Sequence, residues 1–212
     1  GTERGRRKFW EWHISMICLS SKYFQNWNIF GQILHIWVKF ILNKKKFTDQ
    51  KFNPAGEAQE APEFDTDGNL VFSSKQHVLL PEESAKKLPL ENFAIEARVR
   101  IDQVQKWGSI LSYSQDNGSY ERGWILGYNG SRFSFRLSTG DRLLEVVAPE
   151  PFEPGEWHHL FATYDGKKMS LHLNGRLVSS RVVTGPVVLP DIPTPFVIGA
   201  YKDKDEFYLI NC

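Results

Sequence analysis

The chain has 212 residues, of which 41% are hydrophobic and 14% aromatic, and its formal net charge is +1 at pH 7. A chain of this size buries about 70% of its unfolded surface and needs no covalent staple, and its two cysteines, Cys18 and Cys212, exclude a disulfide scaffold or a cysteine-based zinc site. The balanced charge argues against a basic nucleic-acid-binding protein, and the aromatic content argues against global disorder.

The charge is unevenly distributed along the chain. Residues 1–47 carry nine Lys or Arg and two acidic residues, a net charge of +7, whereas the remainder carries 17 basic and 23 acidic residues, a net charge of −6. Residues 48–67 are polar, contain Pro54, Gly56 and Pro62, and show no apolar periodicity. We therefore predict a basic N-terminal segment (1–47), a linker (48–67) and a globular domain (68–212). The net charge of −6 beyond residue 47 disfavours nucleic acid as a partner.

An amphipathic helix is predicted within the N-terminal segment. Polar residues recur at positions 28, 32, 35, 39 and 43, which lie on one stripe of a helix, and apolar residues fill most of the other positions. Three lysines follow at 44–46. This pattern suits a helix in a membrane interface, with lysines near lipid phosphates, so we predict membrane contact through residues 28–46. The alternatives are a tilted membrane anchor, a buried packing helix and a non-native reading frame.

From residue 68 onward the sequence predicts an all-β fold. Five pairs of Asp or Asn followed by Gly punctuate this region, and such pairs favour tight hairpin turns. Between them apolar and polar residues alternate, most clearly in 93–102, 133–138 and 169–174, with the period of a half-buried strand. Many short strands at regular spacing indicate an antiparallel jelly-roll sandwich. Further strands are predicted at 70–72, 78–80, 109–113, 123–128, 143–147, 158–164, 177–181 and 196–199.

Three segments carry a resemblance to a known family. They are residues 155–166 (GEWHHLFATYDG), residues 169–178 (MSLHLNGRLV) and residues 196–200 (FVIGA). Together with residues 93–101 they resemble laminin G-like domains of the concanavalin A-like jelly-roll superfamily, over residues 68–208. The family includes sugar-binding, adhesive and accessory domains, often attached to enzymes in secreted bacterial proteins. The resemblance therefore implies a β-sandwich with a binding or accessory role.

The C-terminal end departs from the family pattern. Such domains close with a strand after the Ile-Gly pair, and residues 201–212 (YKDKDEFYLINC) do not match that strand. We therefore expect the last strand to be missing or replaced.

The sequence lacks the catalytic motifs that the superfamily would suggest. Laminarinase-type hydrolases place paired carboxylates on one strand, as Glu-x-Asp-x-x-Glu or Glu-x-Asp-x-Glu, whereas the strand at 93–101 offers only Glu96. Gly-x-Ser-x-Gly and His-Glu-x-x-His motifs are also missing. His158 and His159 are neighbours on a strand and point to opposite faces, so they are poorly placed to bind one metal together. We predict that the protein is not an enzyme.

Residues 106–128 are the strongest candidate for a ligand site, because aromatic and polar side chains mix there. Sugars are held by aromatic ring faces and by polar groups that fix their hydroxyls. Trp107 and Tyr120 lie in loop-like sequence, and we predict them as ligand-binding residues together with Asn117 and Arg122. Core packing is the alternative for the two aromatics. The tryptophans and tyrosine within strands are predicted to be core residues: Trp124, Tyr128 and Trp157.

A calcium site is a second candidate. Laminin G-like domains sometimes hold one Ca²⁺ at a loop rim through Asp, Asn and backbone carbonyls, because a hard cation prefers oxygen ligands. The resemblance implies Asp116 and Asp141 as its ligands. Asp and Asn are also ordinary turn residues, so plain turn chemistry is the alternative.

These features predict a non-catalytic accessory module that binds carbohydrate or protein. The predicted partner is a glycan or an extracellular protein, and the predicted location is extracellular, periplasmic or cell-surface, with membrane association as an option. Two alternatives stay open: an appended domain of a larger hydrolase whose catalytic part is absent, and a truncated domain without its own activity. The sequons at Asn117 and Asn129 would accept glycans only in a eukaryotic secretory route.

Overall fold

The computed structural model describes residues 10–13, 34–36, 63–66, 69–72, 77–80, 92–116, 118–191, 194–203 and 206–209. Within these ranges the chain forms sixteen β-strands and no helix that could cross a membrane. The strands are β1 (Trp10–His13), β2 (Leu34–Ile36), β3 (Glu63–Phe64), β4 (Leu70–Val71), β5 (Val78–Leu80), β6 (Phe93–Arg100), β7 (Trp107–Asp116), β8 (Glu121–Asn129), β9 (Arg132–Leu137), β10 (Leu144–Val147), β11 (Trp157–Tyr164), β12 (Lys168–Leu173), β13 (Arg176–Val182), β14 (Phe196–Ile198), β15 (Ala200–Asp203) and β16 (Glu206–Leu209).

Two sheets enclose the core. The smaller sheet has the order β13-β12-β11-β6-β1-β2, and the larger has the order β10-β9-β8-β7-β14-β5, with the β15–β16 hairpin joined to it beside β7. Neighbouring strands run antiparallel, apart from β1 with β2, β1 with β6, and β15 with β7. Strands β3 and β4 form a separate pair. The predicted all-β, two-sheet fold is confirmed.

The core forms from alternate residues of both sheets. The Phe93 ring of the smaller sheet lies 6.1 Å from the Trp124 ring and 6.4 Å from the Phe135 ring of the larger sheet, measured between centroids. Such tilted and edge-on contacts add to the stabilisation from apolar burial. The predicted core positions of Trp124 and Tyr128 are confirmed, because they are 3% and 0% exposed. The apolar residues that alternate along the other strands are buried too, with 0–4% of their surface exposed: Ile95, Val99, Phe135, Leu171 and Ile198.

Trp157 is the exception, because it is only half-buried at the margin of the core. On β11 the inward positions begin at His158, which is buried against the Phe133 ring at 5.2 Å. Trp157 therefore points outward, where it lies 4.9 Å from the guanidinium carbon of Arg98 and 5.6 Å from that of Arg100. The prediction of Trp157 as a core residue was wrong, since alternation assigns it to the opposite face.

The N-terminal helix is not confirmed. Of its predicted residues the structure describes only Leu34–Ile36, which form strand β2, so the prediction is wrong for these three residues. Strand β2 pairs with β1, which in turn pairs with β6, so sheet hydrogen bonds take the place of helical ones. The alternation Leu-His-Ile fits a strand as well as a helix. The rest of 28–46 lies outside the described residues, and membrane contact stays a prediction.

The C-terminal residues form a hairpin beside the larger sheet. Strands β15 and β16 pair antiparallel, with Ala200 opposite Leu209 and Asp203 opposite Glu206. The Ser112 hydroxyl of β7 donates a hydrogen bond of 2.8 Å to the Ala200 carbonyl, which anchors the hairpin. The absence of the family's closing strand stays a prediction.

Candidate functional site on the outer face of the larger sheet

Small polar residues cover the outer face of the larger sheet, the face turned away from the core. Side chains alternate between the two faces of a strand, and the core side is fixed by buried Leu111 on β7, Leu126 on β8 and Phe135 on β9. The residues between these positions therefore point to the outer face.

Cross-strand pairing sets the outward residues in rows. Ser109 pairs with Gly127, and Gly127 pairs with Ser134. In the next row Ser112 pairs with Ile125, Ile125 with Arg136, and Arg136 with Glu145. In the third row Ser114 pairs with Gly123. These residues are called the trough below: Ser109, Ser112, Ser114, Gly123, Ile125, Gly127, Ser134, Arg136 and Glu145.

Two glycines keep the floor of the trough low. A Cβ atom at Gly127 would overlap the Gly108 carbonyl oxygen, so a side chain there requires the backbone to move. Gly123 has a φ of +90°, and a Cβ there would overlap the Tyr113 carbonyl oxygen. Only glycine fits such positions without strain. The backbone of β7 therefore fills the space that a side chain would take at either glycine.

Three hydroxyls of the trough are buried without a partner. Ser109 and Ser134 are 0% exposed and Ser114 is 3% exposed. None of their hydroxyls has a hydrogen-bond partner in the described part of the chain. By contrast, the buried Ser112 hydroxyl donates to the Ala200 carbonyl. Buried polar groups are normally hydrogen-bonded, and each one left unsatisfied costs about 1–3 kcal/mol. The unsatisfied hydroxyls therefore mark a surface suited to a polar ligand.

Arg136 and Glu145 add opposite charges to the trough. The Nε of Arg136 lies 3.8 Å from Oε1 of Glu145, too far for a hydrogen bond, and the Arg136 side chain is 11% exposed. Nε and Nη2 of Arg136 and Oε1 of Glu145 are buried and lack hydrogen-bond partners among the described residues. Burial lowers the pKa of Arg136 from its ordinary value, and nearby Glu145, Tyr201 and Glu121 oppose that shift. The trough thus offers both charged donors and a charged acceptor.

Trp107 covers one end of the trough. It pairs with Asn129 at the start of β7, one row beyond Ser109. Arg136 lies one row past Ser134, on the side of that row away from Trp107. The guanidinium carbon of Arg136 lies 5.4 Å from the centroid of the Trp107 ring. The indole therefore reaches across the row Ser109–Gly127–Ser134 toward Arg136. Lys106 places its Nζ 5.9 Å from the same ring.

The other predicted ligand residues lie at the far end of the β7–β8 hairpin. The guanidinium carbon of Arg122 lies 4.2 Å from the Tyr120 ring centroid. Arg122 also forms ion pairs with Asp191 and, at 3.5 Å, with Asp141. Asn117 lies outside the described residues. Trp107 is the first residue of β7, and Tyr120 lies beyond the last residue of that strand. The length of β7, about 30 Å, therefore separates the two side chains. The structure therefore divides the predicted ligand residues into two groups.

The sequence analysis missed the residues that form the trough itself. The serines on β9 alternate with Phe133 and Phe135, which is the pattern of any strand with one solvated face. What distinguishes Ser134 is its position beside Gly127 and Ser109, and that position depends on strand pairing. The one signal in the sequence was the recurrence of Ser and Gly on three successive strands.

The two candidate calcium ligands make ordinary contacts. Asp116 accepts a hydrogen bond of 2.8 Å from the Gly118 backbone N–H, and Asp141 pairs with Arg122. No group of three or more His, Cys, Asp or Glu side chains in the described ranges is placed to hold a metal. A guanidinium beside Asp141 opposes a second cation there. The geometry favours turn formation and ion pairing, and calcium binding stays a prediction.

The two-sheet sandwich with a polar outer face defines the class of concanavalin A-like β-sandwich domains. A laminin G family model, described as concanavalin A-like lectin/glucanases superfamily, matches residues 72–209. The chain belongs to this family, as its sequence predicted.

Curated relatives match a smaller part of the chain. Pappalysin-1 from Mus musculus is 31% identical over 107 residues, and pappalysin-1 from Homo sapiens is 32% identical over 108 residues. Each match covers 44% of this chain and 7% of the relative, so this chain spans only a small part of the length of those proteins.

A solved structure shares the fold. The CBM40 module of Ruminococcus gnavus IT-sialidase, bound to α2,3-sialyllactose, superposes with a TM-score of 0.51 at 17% sequence identity. The match covers 61% of this chain and 74% of that one. At this identity the similarity shows the fold alone.

Proposed function

We propose that the domain is a non-catalytic carbohydrate-binding module whose ligand lies in the trough. The observation that carries this proposal is the set of buried hydroxyls without partners at Ser109, Ser114 and Ser134. A saccharide both donates and accepts hydrogen bonds, so it complements the serine hydroxyls, the N–H groups of Arg136 and the carboxylate of Glu145 together. An apolar ligand would leave these groups unsatisfied, at about 1–3 kcal/mol each.

Trp107 supplies the aromatic surface that a sugar requires. Its indole lies over the row Ser109–Gly127–Ser134, so it rotates aside to admit a ligand and then stands against the apolar face of the sugar ring. Leaving the Arg136 guanidinium costs about 0.5–1 kcal/mol, the usual strength of a cation–π contact at a partly exposed site. The stacking contact and the newly satisfied hydroxyls offset that cost.

The test is a glycan-array screen of the full chain, followed by calorimetry of the hits. Trp107→Ala is expected to weaken binding about tenfold, the effect of losing roughly 1.4 kcal/mol. Trp157→Ala is the matched control, because Trp157 is also half-buried beside arginines but lies on the opposite sheet. Its affinity should equal that of the wild type. Equal losses in both variants, or no glycan bound by the wild type, would contradict the proposal.

A second candidate is an accessory domain of a larger protein. The matches to pappalysin-1 favour it, because they cover only 7% of those relatives. The coding sequence on both sides of this chain tests it. An open reading frame that continues into a catalytic domain would support the accessory role, and stop codons on both sides would contradict it.

We also propose that the module acts outside the cell or at its surface. Glycan polymers are accessible there, and the two Asn-Gly-Ser sequons, at Asn117 and Asn129, are compatible with a secretory route. Immunodetection of the protein in washed cells, cell lysate and culture medium tests the location. Recovery from the interior fraction alone would exclude it.

A further inference from the structure

The turn between β8 and β9 carries the sequon Asn129-Gly130-Ser131. Gly130 has a φ of +56°, and a Cβ atom there would meet no atom of the described residues within 4 Å. Asn129 and Ser131 are both half-buried, so each keeps part of its surface in contact with solvent. The sequon therefore lies in an open turn, and its acceptor residue is partly exposed.

Asn129 lies beside Trp107 on the outer face of the larger sheet. Its neighbour on β8, Tyr128, is 0% exposed in the core, so Asn129 faces outward, and it pairs with Trp107 of β7. The Gly130 N–H donates a 3.0 Å hydrogen bond to the Lys106 carbonyl, which makes these two residues a hydrogen-bonded pair. The next pair, Trp107 with Asn129, is therefore a non-hydrogen-bonded pair, in which Cα atoms lie about 4.5 Å apart and side chains are closest.

A sugar on Asn129 would begin beside the Trp107 indole. Glycosylation attaches N-acetylglucosamine to the side-chain nitrogen of Asn, at the tip of a short side chain. Trp107 is half-buried, so part of its ring is open to a group on the neighbouring strand. Lys106 is exposed and holds its Nζ 5.9 Å from the ring, at the outer limit of about 6 Å for a cation–π contact. This amine can therefore be displaced from the ring at little cost.

We propose that Asn129 is a site of N-glycosylation and that its first N-acetylglucosamine packs against the indole of Trp107, which stabilises this end of the sandwich. The apolar face of a sugar ring is suited to contact with a large aromatic ring. Because the two residues are cross-strand neighbours, the contact links β7 to β8 in addition to the backbone hydrogen bonds.

The modification is a glycosyl transfer from a lipid-pyrophosphate-linked oligosaccharide, catalysed by the transferase of a eukaryotic secretory route. A bond forms between Nδ2 of Asn129 and C1 of the sugar. The bond between C1 and the phosphate oxygen breaks, the lipid pyrophosphate leaves with the electron pair, and the amide nitrogen loses one proton to a base. The attached sugar takes the Trp107 indole from a free ligand, so the glycan-array screen requires the unmodified protein.

The first experiment measures occupancy of the site. The full chain carrying Asn117→Gln, which removes the other sequon, is secreted from a mammalian cell line that makes only high-mannose glycans. Endoglycosidase H then leaves a single N-acetylglucosamine on each modified Asn. Mass spectrometry of peptides should find this sugar on Asn129 in most molecules, and Ser131→Ala should abolish it. The sugar mass distinguishes the modification from deamidation at Asn-Gly.

The second experiment measures the contact with Trp107. The secreted protein with one sugar is compared with protein of the same sequence made in bacteria without it. The sugar should raise the Tm by about 2–5 °C, the shift expected from one additional ring contact in a domain of this size. In Trp107→Ala the rise should disappear, and in Trp157→Ala, a half-buried tryptophan on the other sheet, it should persist. If Trp107→Ala is not secreted, Trp107→Thr, which suits a strand, replaces it.

Each outcome decides. A folded, secreted protein without sugar on Asn129 overturns the inference, and so does a sugar that leaves the Tm unchanged or lowers it. An equal rise in wild type and Trp107→Ala shows that the sugar does not use the indole and also overturns it. None of these results affects the proposed binding of free saccharides, and a negative glycan array leaves this inference standing.

Discussion

Ser134→Ala is expected to stabilise the unliganded protein. The Ser134 hydroxyl is 0% exposed and has no hydrogen-bond partner among the described residues. Folding therefore removes this hydroxyl from water without compensation, and deleting it relieves a penalty of about 1–3 kcal/mol. The small cavity left by one oxygen atom costs roughly 0.3 kcal/mol, from its volume. The net gain in the free energy of unfolding is about 1 kcal/mol or more.

Ser112→Ala provides a control of opposite sign. Ser112 lies in the next row of the same face and is 1% exposed, but its hydroxyl donates a 2.8 Å hydrogen bond to the Ala200 carbonyl. Its removal leaves that carbonyl without this donor and should cost about 1 kcal/mol. The two variants differ in one contact, with the residue type, the substitution and the burial held constant.

Thermal and urea unfolding measure both effects. For a domain of this size, 1 kcal/mol corresponds to a shift in Tm of about 2–5 °C. Ser134→Ala should raise the Tm and Ser112→Ala should lower it. The same Ser134→Ala change should weaken glycan binding, which is the trade of stability for function expected at a binding site. If Ser134→Ala destabilises the protein as much as Ser112→Ala, the hydroxyl has a partner and the argument for the trough fails.

Four further predictions concern other parts of the molecule. Leu171→Ala should lower the free energy of unfolding by about 2–5 kcal/mol, because Leu171 is fully buried in the core; a loss below about 0.5 kcal/mol in urea denaturation would contradict its inward assignment. Burial lowers the pKa of His77 from 6.5 to about 4, so the unfolded chain takes up this proton first as the pH falls. The contribution of neutral His77 to the free energy of unfolding is therefore complete above pH 6.5 and declines between pH 6.5 and 4. The His77→Gln variant should show a flatter Tm–pH curve over that range. Calcium, if bound at Asp116 and Asp141, should raise the Tm of the wild type and leave the Tm of the Asp141→Asn variant unchanged. Equal shifts in Tm for both proteins would exclude the site. A peptide of residues 26–47 should gain helicity on anionic vesicles and bind neutral vesicles less, and equal binding to both would remove the electrostatic part of the membrane prediction.

Local patterns were sufficient to predict the strands of the sandwich. Residues 93–100 and 132–137 alternate apolar and polar side chains, and the structure forms β6 and β9 there. The turn at Asn174-Gly175 adopts positive φ at both residues, as this dipeptide predicts. These features depend on residues close in sequence, so they can be recognised without knowledge of the fold.

Features that depend on pairing between distant strands could not be predicted in this way. Trp107 and Tyr120 are only 13 positions apart, and the hairpin of β7 and β8 nevertheless places them at opposite ends. Trp157 was predicted as a core residue because it lies within a strand, but both faces of β11 carry aromatic rings, so the alternation alone does not show which face is inward. The hydroxyls of Ser109 and Ser134 are buried without hydrogen-bond partners, and this state depends on how β7, β8 and β9 pair, which the local sequence does not determine.

The interlocked glycines limit how this site could change under directed evolution. A Cβ at Gly108 would overlap the Tyr128 ring, and a Cβ at Gly127 would overlap the Gly108 carbonyl. A larger residue at either position would therefore disrupt the sheet rather than reshape the ligand-binding site. Lys106, Trp107 and Arg132 border the same surface with exposed or half-buried side chains. Libraries that vary these three positions should yield folded proteins with altered ligand preference, whereas libraries at the glycines should yield mainly unfolded ones.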